Sequence, residues 1–512
     1  MTDTNVSFVR TEQIPPSPPP AAEAGIVKWM RENLFSSILN TVLTVIAAYV
    51  IIRLLMGIVP WFANGVWEAG SMRECRDILA GASGACFAVL VDRWDHLLFG
   101  FKYPPEAYFR IVIALVLLLV AALPVLFQTV PRKLLLFTGL YPFIAYWLIW
   151  GGSLWTPLML LALFVLTAMV YRLIGEQIST DMRKIAAAVV GLIAGVGLAY
   201  LLFIGAGELG FIANSIGTSG ALNTVAYGAF WLMSGFTYLF FIPMGIFVGY
   251  AIYNSYEGGG LVSVVTALLF LYAALTFVFG PVSDGLASVV GLELQAVASR
   301  DLGGFVLNMI LGTVCVSLSI PLGIALALGR QSDMPLIKGV CVIFIEFIRG
   351  VPLITLLFVA NVMLAYFMPP ESNFDLVLRV IIMITAFSAA YIAEVIRGGL
   401  AALPKGQYEA ADSLGLNYAQ ATRLIILPQA LKISIPGIVN VAVGLFKDTT
   451  LVSIISMFDL VGMIRGPIQN ATEWIGVYWE VYGFGAMLFF VVCYGISQYS
   501  QWLERQLQTD HH

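Results

Sequence analysis

The chain has 512 residues, of which 60% are hydrophobic and only 11% charged, with a formal net charge of −4. So low a charged fraction cannot furnish the surface of a soluble protein of this length, which excludes that class. The small, scattered negative charge provides no basic stripe and excludes nucleic acid as a partner.

Residues 1–33 read as a disordered, Pro-rich tail carrying PPSPPP, not as a signal peptide, because the first apolar run starts only near Phe35 and is too long for a cleaved segment. The apolar runs that follow are continuous rather than alternating, so they read as helices and not as barrel strands. The fold class is therefore all-α and polytopic. About twelve spanning helices are expected, at roughly 36–60, 109–129, 134–152, 155–174, 184–205, 226–252, 261–281, 303–328, 338–365, 377–397, 433–457 and 483–502. The third and fourth are joined by little more than GGS and should form a tight hairpin. Lys and Arg are concentrated in alternate short loops, with Arg132, Lys133, Arg183, Lys184, Arg330, Lys338, Arg397, Lys405, Arg423 and Lys432 on one side; this places both termini in the cytoplasm. The exception is a mixed-charge cluster in the outer loop 64–107. That loop also holds Cys75 and Cys86, which are either a disulfide in an oxidising compartment or two free thiols. The other three of five cysteines lie in apolar runs, and two of the three histidines are the last two residues, so no metal site is expected.

Ionisable residues are sparse in the helices before about 290 and frequent afterwards. The segment 409–428, EAADSLGLNYAQATRLIILP, alternates charged, amide and apolar side chains between two apolar runs. Glu409, Asp412, Ser413, Asn417, Gln420 and Arg423 recur every three or four positions, an amphipathic helical period. Gly415 suits a left-handed helix stop, and Asn417 with Gln420 suits a box-like N-cap. Pro428 is expected to end the second helix or redirect the chain. Two short cytoplasmic helices with an elbow at Gly415–Asn417 result. An interfacial helix on anionic lipid would favour Lys and Arg on its polar face, whereas this one has two acids and one Arg. A knob that docks on another protein suits the pattern better.

The spacing of Glu409, Ala410, Ala411, Gly415, Ile425, Leu427 and Pro428 resembles the EAA loop of bacterial ABC-importer permeases. The flanking segments 317–335, 344–358, 388–416 and 446–460 resemble polar amino-acid permeases of the histidine/glutamate type, and the long N-terminal part resembles the large permease subunit of general L-amino-acid uptake systems. The resemblance implies a five-helix type I importer core at 295–505, with the coupling loop at 398–432. It also implies a transmembrane extension at 34–294 of about seven helices and a short tail at 506–512. Its implied partners are a cytoplasmic ATPase dimer gripping those seven residues, a second permease subunit, a periplasmic amino-acid-binding protein and the lipid bilayer of the bacterial inner membrane. ATP and Mg would be used by the ATPase, and no cofactor would be bound by this chain.

Three charged clusters need partners inside the bilayer. A helix starting near Lys338 puts Arg349 about 16 Å in, close to mid-bilayer. Glu346, three residues earlier, shares its face and can pair with it. Lys447, Asp448, Thr449 and Thr450 offer one base, one acid and hydroxyls, the groups a zwitterionic amino acid needs. Both sets are candidates for the substrate pathway, with structural ion pairing or a gate hinge as the alternative. Glu394 and Arg397 read as a structural pair near the cytoplasmic end of their helix, which Gly398 and Gly399 should terminate.

ATP hydrolysis needs a GxxxxGK[ST] loop, and no GK dipeptide occurs, so no catalytic residue is assigned and the chain is not an enzyme. An ion-coupled secondary transporter could use the same buried charges. It would call for broken helices in two inverted halves, whereas charge-bearing helices are seen only in the second half. A channel would need a filter motif, and none is visible.

Overall fold

The structure, a computed structural model, describes residues 25–127, 129–177, 270, 271, 274, 278–363 and 375–508. Among these, seven helices are long and apolar enough to cross a membrane: Ile38–Ala63, Pro105–Leu126, Arg132–Trp150, Gly304–Gln331, Leu376–Ala401, Tyr418–Ile455 and Trp479–Gln506. Trp155–Gln177 is helical as expected. The spans expected at 184–205 and 226–252, and nearly all of 261–281, lie outside the described residues.

By contacts the chain forms two compact units that do not follow sequence order: residues 1–94 with 468–484, and residues 95–467 with 485–512. The expected division at 294/295 marks a change in sequence character and coincides with neither. In the first unit, Cys75 and Cys86 form a disulfide, the first of the two alternatives the sequence left open. Residues 468–484 close onto it. The Met72 amide donates to the Glu473 carbonyl at 2.8 Å, the Cys86 amide to Glu480 Oε1 at 3.0 Å, and the buried Trp474 indole to Asp92 Oδ2 at 2.8 Å.

In the second unit, the GGS link makes the expected hairpin, and Gly152–Ser153 pairs antiparallel with Glu293–Leu294. The Arg110 guanidinium donates to the Gln295 carbonyl at 3.1 Å, so the chain entering residues 295–505 is pinned to the preceding helices. The core around Leu307, Leu311, Leu357, Val380 and Ile384 is fully apolar, and a second apolar cluster holds Ala327, Ile345, Ile392, Ile396, Ile426 and Ala430.

Three expectations are corrected here. The span expected at 338–365 is not one straight helix. Pro335–Gly350 stops, and a second segment starting at Leu353 turns by 104°. Pro352 has no amide hydrogen to donate and forces the residue before it out of helical geometry; Val351 is accordingly extended, with φ −107° and ψ 133°. Gly398 and Gly399 do not end their helix, which runs through Leu376–Ala401. Gly399 instead permits close packing, since a Cβ there would collide with Ser434 Oγ and come within 2.6 Å of the Ala430 carbonyl. Pro428 does not end a helix either. A π-helical turn at Thr422–Ile426 absorbs its missing donor, Pro428 sits in the first turn of Leu427–Asp448, and the helix tightens into a 3-10 segment at Thr449–Ile455.

Candidate functional site

Helix Lys405–Ser413 ends in a left-handed turn at Gly415, with φ +69°. The Leu416 amide donates to the Ala411 carbonyl at 3.2 Å and the Gly415 amide to the Asp412 carbonyl at 2.9 Å, the two bonds of a Schellman stop. Asn417 then caps the next helix reciprocally. Its Oδ1 accepts from the Gln420 amide at 2.9 Å, and Gln420 Oε1 accepts from the Asn417 amide at 3.2 Å. The elbow has the geometry expected from Gly415 and Asn417. Gln429 Nε2 donates to Gln407 Oε1 at 3.0 Å and ties the two arms together.

The seven motif residues divide by exposure. Ala411 is fully buried, while Ile425 and Leu427 are half-buried, Ile425 packing against the second apolar cluster; these support the elbow from beneath. Glu409, Ala410, Gly415 and Pro428 face outward. Beside them two apolar side chains lie open, Leu414 at 73% and Tyr418 at 67% exposure. The surface is a knob with apolar tips and acids at Glu409 and Asp412, matching a protein groove better than lipid headgroups.

Behind the knob, two of the expected charge clusters prove to be one. Glu346 does not pair with Arg349. Arg330 Nη1 lies 3.0 Å from Glu346 Oε1 and 2.5 Å from Glu394 Oε1. Arg349 instead reaches Glu394 Oε2 at 3.6 Å, and Arg397 Nη2 reaches the same oxygen at 3.1 Å. The break at Val351–Pro352 and the helix contacts reorganise the pairing, so Arg349 stands with charges from helix ends rather than alone at mid-bilayer. Its guanidinium also lies 5.6 Å from the Tyr391 ring centroid. Three helices, Gly304–Gln331, Pro335–Gly350 and Leu376–Ala401, thus converge on Glu394 at the end leading into 398–432. Glu394 and Arg397 are bonded as expected, with Nε 3.1 Å from Oε1. Arg330 was missed because nothing in the sequence brings residue 330 to residue 394.

The Lys447–Thr450 group separates. Lys447 is exposed and Asp448 half-buried, whereas Thr449 is fully buried. The Thr449 hydroxyl donates to the Phe446 carbonyl at 2.7 Å and accepts from Asn308 Nδ2 at 3.0 Å. Thr450 donates to the Lys447 carbonyl at 2.8 Å. Asn308 continues to Asp459, whose Oδ2 accepts from Nδ2 at 3.1 Å and whose Oδ1 accepts from the Gly462 amide at 2.9 Å. The Leu460 amide returns to Asn308 Oδ1 at 3.1 Å. This polar tie between Gly304–Gln331 and the turn after Ile455 was also invisible in the sequence.

Burial pushes the Asp459 carboxyl up to about 6, against the opposing pull of its amide and Asn308 hydrogen bonds. At Asp459 the folded protein therefore binds a proton more tightly than the unfolded chain, so this carboxyl's contribution to stability is fully present below the ordinary carboxylate value and is lost as pH rises through about 6. The loss is on the order of 2 kcal/mol. Asp459→Asn keeps a neutral cap, so between pH 4 and 7 the thermal unfolding temperature of the native protein in detergent should fall by several degrees relative to that of the variant.

Among the described residues no group of three or more His, Cys, Asp or Glu could hold a metal.

Comparison with known proteins places these features in context. The family described as binding-protein-dependent transport system inner membrane component matches residues 319–505, wholly inside 295–505. The chain is 44% identical, over the full length of both proteins, to the glutamate/glutamine/aspartate/asparagine transport system permease protein BztC of Rhodobacter capsulatus. It is 30% identical over 97% of its length to the inner membrane amino-acid ABC transporter permease protein YhdY of Escherichia coli, covering 96% of that protein. A solved amino acid ABC transporter crystallised with histidines is 32% identical, covering 40% of this chain and 92% of its own, at a TM-score of 0.36.

Proposed function

Because this chain belongs to the amino-acid permeases of binding-protein-dependent ABC transport systems, we propose that it imports polar L-amino acids, acidic ones and their amides, by ATP-driven alternating access. The family membership makes it a permease subunit in the inner membrane, crossing the bilayer several times, and not an enzyme. The finer proposal is as follows. A separate ATPase dimer, using ATP and Mg, grips the elbow at Glu409–Pro428. A second permease subunit completes the pathway, and a periplasmic binding protein delivers substrate. Both termini and the loop 398–432 face the cytoplasm, so the charged ends around Glu394 face that side also.

The observation that carries this proposal is the elbow itself. A Schellman stop and a capping box fix two short helices whose outward face is unfilled by the chain, with Leu414 and Tyr418 open to solvent. Force applied there passes to helix Leu376–Ala401 through Ala430, Ser434 and Gly399, where Ser434 Oγ donates to the Ala430 carbonyl at 2.8 Å and the Val395 carbonyl at 3.3 Å. Leu376–Ala401 carries Glu394 and Arg397, and Glu394 also binds Arg330 and Arg349 from the two neighbouring helices. Closure of the ATPase pair would thus reach the broken segment at Gly350–Leu353 through Arg349. Glu346, Arg349, Lys447, Asp448 and Thr450 remain proposed as polar lining of the path, while Thr449 acts from within as part of the tie to Asn308.

The test is purification in mild detergent from cells expressing the chain. An ATPase subunit should co-purify, and ATP hydrolysis should rise when loaded amino-acid-binding protein is added. A chain that purifies alone and supports uptake driven by an ion gradient would replace this proposal with secondary transport.

A further inference from the structure

At the membrane face opposite the coupling loop, where Gly304–Gln331 and Leu376–Ala401 begin and Thr449–Ile455 ends, a cleft of about 300 Å³ opens. That is the lower end of the range for small-molecule sites. Lys102, Ser299, Arg300, Asn361 and Ser456 line it over a floor of Val377, Ile455 and Met457. The polar groups come from four separate stretches of chain, so no sequence motif announces the site.

The cleft gathers more cations than acids among the described residues. Among the described residues, neither Lys102 nor Arg300 has a carboxylate within 4.0 Å, and both are exposed. The Lys102 ammonium is held near the mouth over the Phe101 and Phe458 rings, at 5.5 and 6.0 Å. Behind the wall stands a third cation, Arg379, which is 7% exposed. It donates to the Asn361 carbonyl at 2.9 Å, and its Nε has no partner. A buried guanidinium without a carboxylate projects its field into whatever lies nearby. Among the described residues two acids lie close by, so three cations face two carboxylates and one positive charge is in excess. Asp375 accepts from the Val377 and Leu378 amides and from the Ser299 hydroxyl, and Asp301 lies on the adjoining groove. At the rim, Ser456 holds a left-handed backbone, φ +67°, that a side-chain-bearing residue rarely adopts. Such strain collects at ligand sites.

We propose that this cleft receives the side-chain carboxylate of an acidic amino acid before it enters the transport path. Among the described residues the three cations outnumber the two nearby carboxylates, and that excess favours a ligand of net charge −1 over a neutral zwitterion, so the amide analogue gains little from it. The proposal deepens, and rests on, the assignment of the chain as an amino-acid permease. The same cations could instead take an acidic side chain of the docked binding protein, and the test separates the two sources.

Initial uptake of labelled glutamate and of glutamine is measured in cells whose chromosomal copy carries Lys102→Gln with Arg300→Gln, or the charge-keeping pair Lys102→Arg with Arg300→Lys. Membrane levels are followed by immunoblot. The neutral pair should lower glutamate uptake at least tenfold relative to glutamine, and the charge-keeping pair should retain most of it. An equal fall for both substrates that overproduced binding protein restores would assign the cations to docking and overturn the proposal. Unchanged uptake of both substrates would also overturn it. Native cells that take up neither amino acid through this chain would overturn the underlying assignment itself, an outcome distinct from the other two.

Discussion

Gly415→Asp abolishes ATP-dependent uptake, by roughly a hundredfold or more, equivalent to about 2.7 kcal/mol of lost coupling, while leaving membrane insertion and stability near native. Two features of the elbow separate these effects. First, the φ of +69° is a left-handed conformation that Asp tolerates better than most residues, so the folding cost is about 1 kcal/mol. Second, a Cβ at position 415 meets nothing within 4 Å, so the side chain starts into open space. Only a body seated on the elbow would meet it. Uptake in right-side-out vesicles loaded with ATP, alongside an immunoblot of membrane fractions, checks both halves. Full uptake would remove position 415 from coupling.

Glu394→Gln is the other substitution with a large expected effect. It leaves Arg330, Arg349 and Arg397 facing one another with only Glu346 remaining, and Glu346 is the more exposed acid. Removing one member of a fully buried pair costs several kcal/mol, but these side chains are partly open to solvent, so about 1–3 kcal/mol is expected here. Arg330→Gln should cost less, because Glu394 keeps two cations. The double variant should cost less than the sum, since the repulsion that Glu394→Gln creates is relieved when Arg330 is neutralised. Chemical denaturation of the detergent-purified protein provides the cycle. Strict additivity would mean that the three helices are not tied through Glu394.

What could be read from the sequence follows the distance over which each feature is determined. The elbow was legible because its geometry is set within a few residues: Gly415 supplies the left-handed stop, and Asn417 with Gln420 supplies the cap. The spanning helices found among the described residues were legible because hydropathy over a whole turn-by-turn run decides them. The break at Pro352 was written in the sequence as Gly350–Val351–Pro352, yet apolar length outweighed it. Gly399 was misread as a terminator because its role depends on Ala430 and Ser434, more than thirty residues on. Arg330 with Glu394, Asn308 with Asp459, and Lys102 with Arg300 and Arg379 are joined only by helix packing, so no local pattern marks them. The Lys447–Asp448 pair looked complete because its residues are adjacent, but the helix turns Thr449 inward to Asn308.

The central claim is that the outward face of the elbow receives the ATPase. It is tested most directly by placing Leu414→Cys in a chain whose half-buried Cys341 and Cys493 are replaced by Ser, assembling the full transporter, and treating it with a short thiol-to-amine cross-linker. The account predicts a covalent adduct between this chain and the ATPase subunit, whose yield changes when ATP is bound. A Leu414→Cys thiol that stays freely alkylated in an actively transporting complex, with no adduct formed, would contradict it.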